Sequence, residues 1–170
     1  MKNMLFIMNP KAGRTTLKNS LVDVLEVFCN NDYAVRTYLT KSADDAERIV
    51  QEEGANYDVI VCAGGDGTLG NTVTGYMKSG IRVPLGYIPC GSTNDFARSM
   101  DIPRETVEAA EMIVKAEPFS IDIGSLNDKN FVYVAAFGMF SDTSYATPQN
   151  MKNIFGHAAY VLQGIKSLAN

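Results

Sequence analysis

Val59-Ile60-Val61-Cys62-Ala63-Gly64-Gly65-Asp66-Gly67-Thr68-Leu69-Gly70-Asn71 is the stretch whose reading decides the fold. Val59 to Ala63 are small or β-branched apolar residues, the composition of a strand buried on both faces, and the glycines at 64, 65 and 67 then end it. Thr68 to Ser79 has helical spacing, with Gly80 placed to cap its C-terminus. A glycine turn between a buried strand and a helix N-terminus lets backbone approach a ligand closely and presents N–H groups and a positive dipole end, which suits phosphate.

Gly65-Asp66-Gly67-Thr68-Leu69-Gly70 formally matches the G-x-G-x-x-G dinucleotide fingerprint. That fingerprint also requires an acid about twenty residues on, and Leu85 to Cys90 contains none. A P-loop is excluded because no Gly-Lys-Ser or Gly-Lys-Thr occurs in the chain. Asp66 is the residue neither template explains, since a carboxylate between glycines repels phosphate unless a cation intervenes. The plainer reading is an Asp that caps a helix.

A chain of 170 residues holds one domain with a substantial core, or one domain and part of another. The net charge of −4 argues against nucleic acid as a partner. Cys29, Cys62 and Cys90 lack Cys-x-x-Cys spacing and read as reduced, buried thiols of a cytoplasmic protein. No apolar run approaches the length of a membrane span, and His157 is the only histidine, which disfavours triads and multi-His metal sites.

Outward from the central stretch, Met4 to Met8 reads as a strand, broken by the donor-rich turn Asn9-Pro10-Lys11-Ala12-Gly13-Arg14, which is a second phosphate loop or an ordinary connection. Leu17, Leu21, Val24, Leu25 and Phe28 form the stripe of an amphipathic helix. Tyr33 to Leu39 alternates as a strand ending at Thr40-Lys41. Ser42-Ala43-Asp44-Asp45 then resembles a capping box ahead of a helix that Gly54 ends. Val83 to Ile88 is a fourth strand, running into the polar turn Pro89 to Asp95 and a short helical stretch from Phe96 to Met100. Pro103 opens a helix over Arg104 to Ala116, and Pro118 closes it. This alternation predicts an α/β domain over 1–118, a three-layer sandwich with a largely parallel sheet and ligands at the strands' carboxyl ends. Phe119–Ile123 and Phe131–Ala135, flanking Asn127 to Asn130, predict an antiparallel hairpin, so 119–170 reads as the incomplete start of a β-rich domain. Met139 to Asn153 reads as irregular and Gly156 to Leu168 as a helix. An exposed strand edge there would allow homodimerisation.

Asp66, Asp95 and Asp122 stand at or just beyond strand ends, where a parallel sheet would gather them at one rim. Three carboxylates there need a cation, and Mg²⁺ takes carboxylates, waters and substrate phosphates, which points to phosphoryl transfer from a nucleotide triphosphate.

Asn9-Pro10-Lys11-Ala12-Gly13, Gly64-Gly65-Asp66-Gly67-Thr68 and Pro89-Cys90-Gly91-Ser92-Thr93-Asn94-Asp95-Phe96-Ala97-Arg98, in this order and spacing, resemble the diacylglycerol kinase catalytic domain of bacterial lipid kinases. The glycine element is shared with NAD kinases and phosphofructokinases, whereas the Gly91 to Arg98 turn resembles the lipid-kinase branch. The resemblance implies the NAD kinase/diacylglycerol kinase-like fold. It implies that Asn9, Pro10, Lys11, Ala12, Gly13, Thr40, Gly65, Asp66, Gly67, Thr68, Leu69, Gly70, Asn71 and Ser92 hold ATP, with Arg14 where the family often has a basic residue. Gly64, Thr93 and Asn94 in the same turns complete the nucleotide-binding set. It implies that Asp66, a catalytic residue, forms a water-mediated Mg²⁺ network with Asp95 and Asp122. The acceptor it implies is a diacylglycerol-like lipid, reached by a cytoplasmic protein with peripheral membrane contact. The family commonly carries Asn-Glu where this chain has Gly70-Asn71. Its general base lies in a continuation beyond residue 170, so the chain reads as a fragment expected to be inactive or weakly active alone. An NAD kinase-like enzyme and a nucleotide-binding regulatory module are the alternatives.

Overall fold

The computed structural model describes residues 1–12, 16–126 and 129–132. In chain order it contains β1 (Lys2–Met8), α1 (Thr16–Asn30), β2 (Tyr33–Leu39), α2 (Asp45–Glu53), a single 3₁₀ turn (Gly54–Asn56), β3 (Val59–Gly64), α3 (Asp66–Ser79), β4 (Leu85–Pro89), α4 (Asp95–Ser99), α5 (Thr106–Lys115), β5 (Gly124–Leu126) and β6 (Lys129–Phe131).

Four strands form one parallel sheet in the order β2-β1-β3-β4, with Met8 opposite Leu39 and Ala63, and Gly64 opposite Pro89. The register follows from burial. Every residue of β3 is buried, as is β1 from Met4 onward, so neither strand has a polar face to turn outward. Met4, Phe6, Met8, Val61 and Ala63 pack on one side against Leu17, Val24 and Phe28 of α1 and Ala109 and Ala110 of α5. Leu5, Ile7 and Ile60 face the opposite way, onto Ala46, Ile49 and Val50 of α2. The rings of Phe6 and Phe28 meet edge to face at 5.7 Å, and truncating either buried ring would cost about 3–5 kcal/mol. The result is the expected three-layer sandwich.

Boundaries depart from the sequence reading where local chemistry competes. The central helix starts at Asp66 rather than Thr68, so Gly67 and Gly70 lie inside its first turns. The second helix starts at Asp45, and Ser42 to Asp44 belong to the loop before it. Phe119 to Ile123 is not a strand, and Phe119 and Ile121 are exposed. Alternation supplies a face but not a partner, and the hairpin instead closes one step nearer its turn, pairing Gly124–Leu126 with Lys129–Phe131. Ile123 and Val132 at its base pack against the cluster of Cys62, Leu69, Val73, Tyr87 and Ala97. The irregular stretch 139–153 and the helix 156–168 expected from sequence lie outside the described residues.

Candidate nucleotide site at the carboxyl edge of the sheet

The sheet changes direction between β1 and β3: from β1 the chain steps outward to β2, then returns past β1 to add β3 and β4. Such a switch point leaves a crevice at the carboxyl ends of the two central strands, because the loops leaving them diverge. The Asn9 turn and the Gly64-Gly65 turn are those loops.

They are tied together. Asn9 Nδ2 donates to Thr68 Oγ1 at 3.1 Å, Asn9 N–H donates to the Ala63 carbonyl at 3.0 Å, and Asn9 Oδ1 accepts from the Lys11 amide at 2.9 Å. The Asn9 carbonyl closes the turn by accepting from Ala12 N–H. Gly13 and Arg14 lie outside the described residues. A Cβ on Gly64 would sit 2.6 Å from the Thr68 side chain, so glycine there is what lets Thr68 fold back toward Asn9.

The third loop, after β4, backs directly onto the glycine turn. A Cβ on Gly91 would come 2.6 Å from Gly65 Cα and 2.7 Å from Asn94 Oδ1. The two turns therefore meet backbone to backbone. Asn94 holds that contact: buried and left-handed at φ 52, it accepts from Gly91 N–H and donates to the Gly91 carbonyl. Beneath it the Tyr87 hydroxyl lies 3.1 Å from the Gly64 carbonyl. Burial, then the nearby Asp66 charge, pushes the Tyr87 phenol up, so it stays a neutral donor.

Asp66 resolves the competition between cap and metal ligand unexpectedly. Its Oδ2 accepts from the Asp95 amide at 3.1 Å and Thr93 Oγ1 at 3.3 Å, and its Oδ1 accepts from the Phe96 amide at 3.2 Å. It caps α4, a helix twenty-nine residues on, and not its own. A spacing rule keyed to the same helix misses this, because the partner is set by tertiary contact. Asp66 and Asp95 are thus neighbours. Asp122 stands exposed in the extended stretch before β5, and among the described residues no three acidic, Cys or His side chains gather as a metal site. The expected trio of Asp66, Asp95 and Asp122 is therefore not assembled here: only two of its members share a loop contact.

Thr40 is buried at the end of β2, its amide bonded to the Met8 carbonyl at 2.9 Å. Asn71 is engaged by the loop after β2, donating to the Ala43 carbonyl at 2.7 Å. Asp45, which the sequence suggests only as part of a helix cap, accepts from the Lys41 and Ser42 amides at 2.6 and 3.2 Å. The Lys41 amide, then the Arg48 guanidinium, and to a lesser degree the Ser42 amide hold its carboxyl down at about 2. A Cβ on Gly67 or Gly70 would meet no atom within 4 Å, as at Gly80, but Gly80 is left-handed at φ 69 and ends the helix, whereas Gly67 and Gly70 lie in its first turns. A cavity of about 770 Å³ lies elsewhere, along β4 between Met77, Ile113, Phe119 and Val132. None of the crevice loops lines it.

Residues 3–126 match the family model of the diacylglycerol kinase catalytic domain. The chain belongs to that family. A diacylglycerol kinase of Bacillus subtilis (strain 168) is 38% identical over 170 residues, covering 99% of this chain and 56% of the relative. One from Staphylococcus aureus (strain JH9) is 37% identical over 171 residues, covering 98% and 53%. A crystal structure of a diacylglycerol kinase from Bacillus anthracis str. Sterne superimposes with a TM-score of 0.71 at 32% identity, covering 76% of this chain and 45% of that one. This diacylglycerol kinase-family chain spans about half the length of the curated relatives it matches. Among the described residues no helix is long and apolar enough to cross a membrane.

Proposed function

We propose that this chain is the nucleotide-binding part of an ATP-dependent lipid kinase, in which the γ-phosphoryl of ATP passes to a hydroxyl of a diacylglycerol-like lipid. The observation that carries the nucleotide is the open space over Gly67 and Gly70. Glycine inside a helix costs about 0.5–1 kcal/mol relative to Ala. Gly75 answers that cost by letting α2 pack against α3, where a Cβ would lie 2.6 Å from the Glu47 carbonyl. Gly67 and Gly70, in the first turns of the helix, have no such neighbour, which leaves room for a ligand to approach the backbone there.

Helix geometry leaves the Asp66 and Gly67 amides without intrahelical acceptors, and the fourteen-residue helix directs its positive end at the same place. Phosphate oxygens would be received there, with Asn9 and Thr68 fixing the turn. Mg²⁺ fits this donor set: Asp66 and Asp95 supply carboxylates beside an open phosphate cradle, and the ion would neutralise charge on the β- and γ-phosphates. Asp122, exposed in the stretch before β5, would join only through water. Family membership favours a lipid hydroxyl over a dinucleotide as acceptor, so the enzyme would work at a membrane face from the cytoplasmic side.

Titration with ATP in the presence and absence of Mg²⁺ tests the nucleotide reading, and binding that ignores both Gly67→Val and Mg²⁺ would overturn it. Phosphorylation assays on diacylglycerol vesicles and on NAD, with a protein of the relatives' full length, decide the acceptor.

A further inference from the structure

The loop between β2 and α2 is exposed from Lys41 to Asp44 and buries no apolar side chain, yet it is tied down at every step. At its start the sheet holds Thr40 through the Met8 carbonyl. Asp45 Oδ2 holds the Lys41 and Ser42 amides. Asn71, on the helix that begins at the glycine turn, holds the Ala43 carbonyl. Asp45 is itself fixed from behind: its Oδ1 takes Arg48 at 3.1 Å, and Arg48 also reaches the Tyr38 hydroxyl and Glu52. This acid is diverted from its own helix, whose N-cap residue Asp44 makes no side-chain cap bond.

We propose that Asp45 is a positioning residue for the nucleotide, clamping the Thr40–Ser42 turn so that the end of β2 meets the ligand in one conformation. This rests on the ATP reading above. The physical reason is entropic. Each loop residue left free costs about 1–2 kcal/mol to order, and a loop fixed beforehand spares binding that cost. Asp45 and Asn71 fix one loop from two helices, so their effects are coupled: once either releases it, loss of the other matters little.

The test is calorimetric titration of Mg·ATP into wild type, Asp45→Ala, Asn71→Ala, the double variant and Lys78→Met, with melting temperatures for all. Lys78→Met removes a different ion pair of α2, that with Glu47, by changing a lysine in the last turn of α3. Asp45→Ala is expected to weaken ATP binding about tenfold, the double variant no more than about twofold beyond Asp45→Ala, and Lys78→Met to bind as wild type. Should Asp45→Ala not fold, Asp45→Asn, which keeps one acceptor oxygen, carries the measurement with a smaller loss. Folded Asp45 variants that bind ATP as wild type does would overturn the positioning role alone. The same holds for losses that add fully in the double variant. Wild type that takes no ATP would overturn the nucleotide reading and this role with it.

Discussion

Two carboxylates, Asp66 and Asp45, do structural work for loops that neither belongs to. Asp66 gathers Thr93, Asp95 and Phe96, so Asp66→Ala strips the cap from α4 and should cost about 1–2 kcal/mol in urea denaturation. Asp66→Asn, which keeps an acceptor oxygen and the side-chain volume, should lose less stability while, on the proposed function, abolishing phosphoryl transfer in a protein of the relatives' full length. Equal losses of stability and activity across the two variants would leave Asp66 as a cap only. Asp45 makes a prediction in pH. Its carboxyl is lowered from 3.8 to about 2, so the clasp favours the folded state fully above about pH 4 and fades as pH falls toward 2. Urea midpoints should therefore fall less steeply between pH 4 and 2.5 in Asp45→Asn than in wild type, with the difference between the two proteins greatest near neutrality. Parallel pH profiles would show that the clasp is absent in solution.

At the scale of elements, the glycines of α3 separate packing from binding. Gly75→Ala forces a Cβ to within 2.6 Å of the Glu47 carbonyl and 2.9 Å of Val50 Cβ, so α2 must move, and a loss of about 1–3 kcal/mol is expected. Gly70→Ala meets nothing and should raise stability by about 0.5–1 kcal/mol while weakening ATP binding. Opposite signs in thermal melts check this pair, and a Gly70→Ala protein that melts lower would mean the space is already filled. These distinctions were not visible in the chain alone. Periodicity placed β1, α1, β3 and the order of elements, because Val59 to Ala63 and the Leu17-to-Phe28 stripe each repeat a burial pattern that one segment can state by itself. It missed that Phe119 to Ile123 finds no strand partner among the described residues, the start of α3, and the targets of Asp66 and Asn71. Each of those depends on a segment tens of residues away.

The whole molecule buries two of its thiols and leaves one outside, which corrects the expectation of three buried cysteines. Cys62 lies between β3 and Thr72 of α3 with no exposed surface, Cys90 is buried where the two glycine turns meet, and Cys29 is exposed near the end of α1. Burial pushes both inner thiols up to about 12, so neither carries thiolate at neutral pH, and neither can react until the sheet parts from its helices. A thiol reagent in excess should therefore modify one cysteine per chain at once and the other two only at the rate of large-scale opening. Because Cys90 sits under the Gly65–Gly91 contact, a ligand in the crevice stabilises the loops that shield it and should slow that second phase. Saturating Mg·ATP at 100 times its dissociation constant would add about 2.7 kcal/mol, close to a hundredfold slowing if both thiols wait on global unfolding. Cys90 slowed without Cys62 would mean that the loop pair opens as its own unit, and three thiols reacting together would place the glycine turns apart in solution.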